Sequence, residues 1–131
     1  MSYENPRDRK YSQYHEWAKA EGNIVTLGIT DHAQQSLGDI VFVELPGEGD
    51  NVIAGQAYGS VESVKAVSDI VASVNGKVVM VNEAVSDSPD LLNTDPYGMG
   101  WLIKVETEDS SDLADMISAE TYEAFLAEEE H

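Results

Sequence analysis

Few side chains in this chain of 131 residues are placed to do chemistry. There is no cysteine, which excludes disulfides, thiolate nucleophiles and Cys-based zinc or iron–sulfur sites. The three histidines, His15, His32 and His131, show no metal-ligand spacing. No phosphate-cradling loop of the G-x-x-x-x-G-K-[ST] or G-x-G-x-x-G type occurs, and the G-x-S-x-G nucleophile elbow is missing. Carboxylates are so numerous that any two look paired, so they carry little signal for acid–base catalysis.

One lysine is left as a candidate. It is Lys65 in "GSVESVKAVSD" (Gly59–Asp69), one of only five lysines. Three uses are open to it. It can be a solvated lysine on a polar turn. It can be an imine-forming amine, which needs a lowered pKa; Glu62 and Asp69 on either side work against that by favouring the ammonium. It can be the target of an acylating enzyme, which needs an exposed, well-fixed turn with small neighbours, and Val64 and Ala66 meet that steric demand.

The elements that must position Lys65 read as short strands joined by turns. "NIVTLGIT" (Asn23–Thr30) alternates as a strand does. Thr30 is placed to cap a helix over Asp31–Leu37, with Gly38 as its stop. "DIVFVEL" (Asp39–Leu45) is dense in β-formers, and Pro46–Asn51 breaks it. "QAYGSVE" and "SDIVASV" flank Lys65 as two strands. Asn75-Gly76 is a strong hairpin signal and predicts a tight reversal from "IVASV" to "KVVMVN". Ser88-Pro89-Asp90 reads as a helix start leading into "DLLN", and Gly100–Glu106 as a further strand. Beyond Glu106 the pattern turns helical, broken at Ser118, with one apolar stripe of Leu113, Met116 and Ile117 and another of Tyr122, Phe125 and Leu126. Ser111 and Ser118 are the candidate caps. "GDIV" at Gly38 echoes "SDIV" at Ser68, which suits a sandwich of two similar halves. The expected organisation is a loose polar segment over residues 1–10 and one domain over 11–131, which includes a C-terminal helical segment over 110–130.

The charge balance is extreme: 7 Lys+Arg against 25 Asp+Glu, a net −18. Nucleic acid and anionic membrane surfaces are poor partners for such a surface. A solvated acidic surface, a high-salt habitat and steering toward basic docking faces each account for it. The N-terminus lacks the apolar core of a signal peptide and carries Glu4 and Asp8, so a cytoplasmic location is expected, or the mitochondrial matrix if a transit peptide has been removed.

"GSVESVKAVSD" closely resembles the lipoylation site of glycine cleavage system H proteins. "YHEW" (Tyr14–Trp17), "LGITDHAQ" (Leu27–Gln34), "LGDIVFVELP" (Leu37–Pro46), "VNEAV" (Val81–Val85) and "DPYGMGWLIKV" (Asp95–Val105) resemble further motifs of that family in the same order, and "SAETYEAFLAEEE" its C-terminal helix. The resemblance runs from about residue 11 to 130. It departs at Tyr14, where the family commonly has serine, and at Ala72-Ser73, where it often has Ala-Pro.

The resemblance implies a mainly β barrel-sandwich hybrid of two antiparallel sheets, with flanking short helices and a C-terminal helix. It implies lipoate in amide linkage on Lys65, an arm of about 14 Å by ordinary bond lengths. It implies a non-catalytic carrier. Its arm would accept an aminomethyl group from a pyridoxal-phosphate glycine decarboxylase and deliver it to a tetrahydrofolate-dependent aminomethyltransferase. Dihydrolipoyl dehydrogenase would then reoxidise it. Glu16 and Asp69 match family positions that line a cleft for the folded-back arm, where carboxylates would hold a cationic cargo. The plainer reading of each is an ordinary surface acid. Glu62 is expected to serve recognition by the lipoyl-attaching enzyme. Biotinyl domains and the lipoyl domains of 2-oxoacid dehydrogenases fit less well. The former flank their lysine with methionines and the latter precede it with Asp, whereas Val64 and Ala66 stand here. An H-like protein that relays lipoyl groups to other enzymes remains a rival reading.

Overall fold

A computed structural model describes residues 3–107, 113 and 116–129. The strands are β1 (Lys10–Tyr11), β2 (Glu16–Glu21), β3 (Ile24–Ile29), β4 (Ile40–Glu44), β5 (Asn51–Val52), β6 (Ala57–Ser63), β7 (Val67–Val71), β8 (Gly76–Val81) and β9 (Ile103–Glu106). The helices are α1 (Asp31–Leu37), α2 (Glu83–Asp87), α3 (Leu91–Thr94) and α4 (Ala119–Glu129). Among the described residues, the strands form a six-stranded antiparallel sheet in the order β1-β2-β3-β9-β8-β5 and a three-stranded one in the order β4-β6-β7. The architecture is mainly β, as the resemblance implied. No helix of the described residues is long and apolar enough to cross a membrane.

The core follows from alternation along the strands. Ala18, Val25, Leu27, Ile103 and Val105 point inward from the larger sheet, and Ile40, Val43, Val61 and Ile70 from the smaller one. A fully buried Val, Leu or Ile contributes roughly 1.5–3 kcal/mol relative to an exposed one. On the other face of the larger sheet, Tyr11 and Trp17 pack with Ala119, Tyr122 and Leu126 of α4. The Tyr122 hydroxyl bonds Thr30 Oγ1 at 2.9 Å and His15 Nδ1 at 2.7 Å, which ties α4 to the cap of α1 and to the turn before β2.

Several expected local features are present. Thr30 caps α1 by accepting from the Ala33 N–H, and Gly38 ends it at φ 79° with its N–H on the Gln34 carbonyl. Ser118 Oγ accepts from the Thr121 N–H at the start of α4. The echoing "DIV" runs fall on β4 and β7, which flank β6 in one sheet. The segment before Tyr11, expected to be loose, donates from Glu4 N–H to Asp31, and from Asn5 Nδ2 and Arg7 Nη1 to Glu123.

Four expectations fail for identifiable reasons. Asn75-Gly76 is not a hairpin, because β7 and β8 lie in different sheets. The expected turn needs positive φ at both residues, and neither has it. Asn75 instead accepts from the Ala54 N–H through its side chain, and Gly76 lets β8 press against Glu106, whose carbonyl oxygen would lie 2.6 Å from an added Cβ. The strand over Gly100–Glu106 begins only at Ile103. Ser88 is the C-cap of α2, a helix unforeseen as such, rather than the cap of α3, which starts after Asp90. Met116 and Ile117 are not helical: Ile117 exchanges backbone hydrogen bonds with Tyr11 at 2.8 and 2.9 Å and extends the sheet edge. Ser111 lies outside the described residues.

Gly28 is where the backbone comes closest to a large side chain. It pairs with Trp17 across β2 and β3, and an added Cβ would fall 2.5 Å from the indole carbons. Gly28→Ala is expected to displace Trp17 and to cost on the order of 1–3 kcal/mol, read by urea denaturation with tryptophan fluorescence. A stability equal to wild type would contradict this packing.

Candidate functional site

Lys65 sits on the turn between β6 and β7 and is exposed. The turn is held by its own first residue. Ser63, 6% exposed, takes the Lys65 and Ala66 N–H groups on its hydroxyl oxygen at 3.3 and 3.1 Å, while its backbone N–H donates to the Ala66 carbonyl at 2.8 Å. The Val64 N–H donates to the Asp39 carbonyl of the neighbouring chain segment at 3.1 Å. The backbone N–H groups of the turn are therefore occupied, and the lysine projects from a fixed base. Among the described residues, no carboxylate forms an ion pair with its ammonium. Its stem passes the end of α1, with Cε 3.6 Å from where a Cβ on Gly38 would stand.

A small cleft opens beside Leu37, at the end of α1 that this stem passes. Ala33 and Leu37 of α1, Ile29, Val61 and Ile70 give it apolar walls, and Glu16 and Asp69 both line it. The two expected cleft residues thus come together from β2 and β7, but they differ in kind. Asp69 is exposed, opposite Ser60 on β6. Glu16 is 1% exposed, so its reading as an ordinary surface acid fails. Its Oε2 accepts from the Tyr58 hydroxyl at 2.6 Å, and its Oε1 from the Ser73 hydroxyl at 2.7 Å and the Ser73 N–H at 3.0 Å. Tyr14, 59% exposed, stands at the cleft's mouth. Glu62 is not on the cleft; it lies exposed on β6 between Phe42 of β4 and Val67 of β7, which are 53% and 67% exposed.

Burial dominates the electrostatics of Glu16. Loss of water pushes its pKa up to about 8, although the bonds from Tyr58 and Ser73 favour the carboxylate. The same burial, with Glu16 beside it, holds Tyr58 well above its ordinary value. Burial thus favours the protonated form of Glu16 more than it does for a carboxyl in water.

Ser63, Tyr58 and Ser73 were not singled out by sequence. Ser63 and Tyr58 left no signal beyond their place in a β-run. Ser73 did leave one, the departure from Ala-Pro: a proline at 73 has neither the N–H nor the hydroxyl that here reach Glu16.

A group whose folded pKa is raised binds more protons in the folded than in the unfolded state. Its contribution to stability is full below the unfolded value and is lost as pH rises toward the folded one. For Glu16 that window runs from its ordinary carboxyl value, 4.5, to about 8. Denaturant unfolding of wild type and Glu16→Gln at several pH values checks this. Wild type is expected to lose stability relative to the variant across the window, and parallel profiles would contradict the assignment.

The profile of the family described as Glycine cleavage H-protein matches residues 9–129 of this chain. A glycine cleavage system H protein of Carboxydothermus hydrogenoformans is 60% identical over 124 residues, covering 95% of each chain. Another, of Staphylococcus haemolyticus, is 53% identical over 123 residues, covering 94% of this chain and 98% of that one. The crystal structure of a glycine cleavage system H protein from Mycobacterium marinum superposes with a TM-score of 0.86 at 41% identity, covering 93% of this chain and 98% of that one.

Proposed function

We propose, from the premise that this chain belongs to the glycine cleavage H-protein family, that it is a non-catalytic carrier whose lipoyl arm is joined in amide linkage to Lys65. The observation that carries this reading is the placement of one exposed lysine on a turn locked by Ser63 and Asp39, with its stem passing the end of α1, where an apolar-walled cleft opens. A lipoyl group held there by Lys65 would supply a disulfide–dithiol couple, the chemistry needed to carry an aminomethyl group from glycine decarboxylase to the aminomethyltransferase and to be reoxidised by dihydrolipoyl dehydrogenase.

The chain's own residues have three tasks. Ser63 and the Asp39 carbonyl fix the root of the arm, so that a tethered group stays at high local concentration near any docked active site. Ile29, Ala33, Leu37, Val61 and Ile70 offer an apolar rest for a hydrocarbon arm. Asp69, exposed at that rest, supplies the anionic contact for a cationic cargo, and Glu16 forms the floor. A cation settling against Glu16 lowers its pKa and favours its carboxylate form, which offsets the effect of burial. The absence of cysteine places the sulfur chemistry on the arm alone.

Attachment is tested by intact mass after expression with lipoate and a lipoyl-attaching enzyme. One lipoyl amide per chain is expected for wild type and none for Lys65→Arg; an unmodified wild type, or modification that persists in Lys65→Arg, would overturn the reading. Glu62, beside exposed Phe42 and Val67 and close to Lys65 in sequence, is assigned to recognition by the attaching enzyme. Glu62→Ala is expected to slow modification in a timed assay, and an unchanged rate would reject that role.

A further inference from the structure

The face of the larger sheet turned away from the core carries an open groove with a charge opposite to that of the whole protein. Lys19 on β2, Thr26 on β3 and Lys104 on β9 stand in one cross-strand row. Trp17, Tyr97, Trp101 and Arg9 complete the groove, and Glu21 lies at its rim. Three of the chain's seven basic residues and both of its tryptophans meet in this one place. In a chain with net charge −18, that concentration calls for an explanation.

The groove is also a built structure. Arg9, whose side chain is 9% exposed, lies between two rings, its guanidinium carbon 4.6 Å from the Trp17 centroid and 5.3 Å from that of Tyr97. Its Nη1 donates to the Tyr97 carbonyl at 3.1 Å, and the Trp17 indole N–H donates to the Pro96 carbonyl at 3.1 Å. Lys104 Nζ stands 5.2 Å from the Trp101 ring centroid and has no ion-pair partner among the described residues.

A carboxylate of the chain itself already contacts these cations. The Asp8 carboxylate spans Arg9 and Lys19, at 2.9 Å from Arg9 Nε and 3.2 Å from Lys19 Nζ. The Arg9 hydrogen bond, helped by Lys19, holds the Asp8 carboxyl below the ordinary carboxylate range. One carboxylate thus pairs with two of the groove's cations, and the third, Lys104 beside Trp101, has none among the described residues.

We propose that this groove is a docking site for a carboxylate-bearing segment of a partner protein, which would engage Lys104 and Lys19 and pack on Trp101. Free small anions are repelled by the surrounding acidic surface and have no apolar part to set against the rings. A peptide segment brings both, and its parent protein can meet the acidic remainder of the surface with basic residues. Two complementary patches of opposite sign fix orientation better than one. The site also leaves the Lys65 turn, on the other sheet, uncovered, so a partner held here does not block the arm. This inference rests on the carrier reading for the identity of its partners.

The test uses the full chain with glycine decarboxylase, aminomethyltransferase and dihydrolipoyl dehydrogenase from the same genome. Binding is read by fluorescence of the two groove tryptophans, and carbodiimide coupling maps contacts between amines and carboxylates. At least one enzyme is expected to bind wild type and Lys104→Arg alike, to bind Lys104→Glu and Lys19→Glu about ten-fold more weakly, and to couple through Lys104 or Lys19. Unchanged affinity for both charge-reversed variants, coupling confined to other lysines, or no binding of wild type would each overturn the proposal. Circular dichroism of each variant establishes folding, and mass analysis of the same samples reports on Lys65 modification separately from docking.

Discussion

The structure depends on how one buried carboxyl group is satisfied. Glu16 belongs to the six-stranded sheet, yet its hydrogen-bond donors come from the opposite side of the core: Tyr58 on β6 and Ser73 just after β7. A buried polar group left without partners costs on the order of 1–3 kcal/mol, and more if charged. The two sheets are therefore held in the register that brings Tyr58 and Ser73 to Glu16. β6 and β7 are also the strands that lead into and out of the Lys65 turn. The bonds that satisfy a carboxyl in the core thus also hold the base of the lysine hairpin, and the cleft lies between the two.

The surface divides the remaining work. The turn presents a lysine with no carboxylate partner among the described residues, which leaves the amine open to modification. The cleft at the end of α1 combines apolar walls with one exposed and one buried acid. On the far face of the larger sheet, Arg9, Lys19 and Lys104 gather beside Trp17, Tyr97 and Trp101. A basic, aromatic groove on an acidic protein gives it a polarity that a partner can read, and charge patterns of this kind set orientation more than raw affinity.

What was legible in the sequence was mostly local. The cap and stop of α1 were visible because a threonine side chain and a positive-φ glycine each act on a backbone group within four residues of themselves. Lys65 stood out because the other chemistries were absent, and family resemblance then gave it a role. What was not legible depends on long-range pairing. Asn75-Gly76 has the composition of a hairpin, but β6 and β9 claim the strands on either side of it. Ile117 sits in a helical pattern but is drawn into an edge pairing with Tyr11. Tyr58 is 42 residues from Glu16, and nothing local to either announces the contact. Ser73 was visible only as an exception to a familiar pattern, and its meaning became clear once Glu16 was seen facing it.

The central claim is that a lipoyl arm rooted at Lys65 serves a glycine-cleaving system. The most direct measurement is release of labelled carbon dioxide from carboxyl-labelled glycine by glycine decarboxylase, with this protein, loaded with lipoate, as the only acceptor. The account predicts release that rises with the amount of loaded protein and is absent when Lys65→Arg replaces it. Equal release with Lys65→Arg, or none with the loaded wild type, would contradict it.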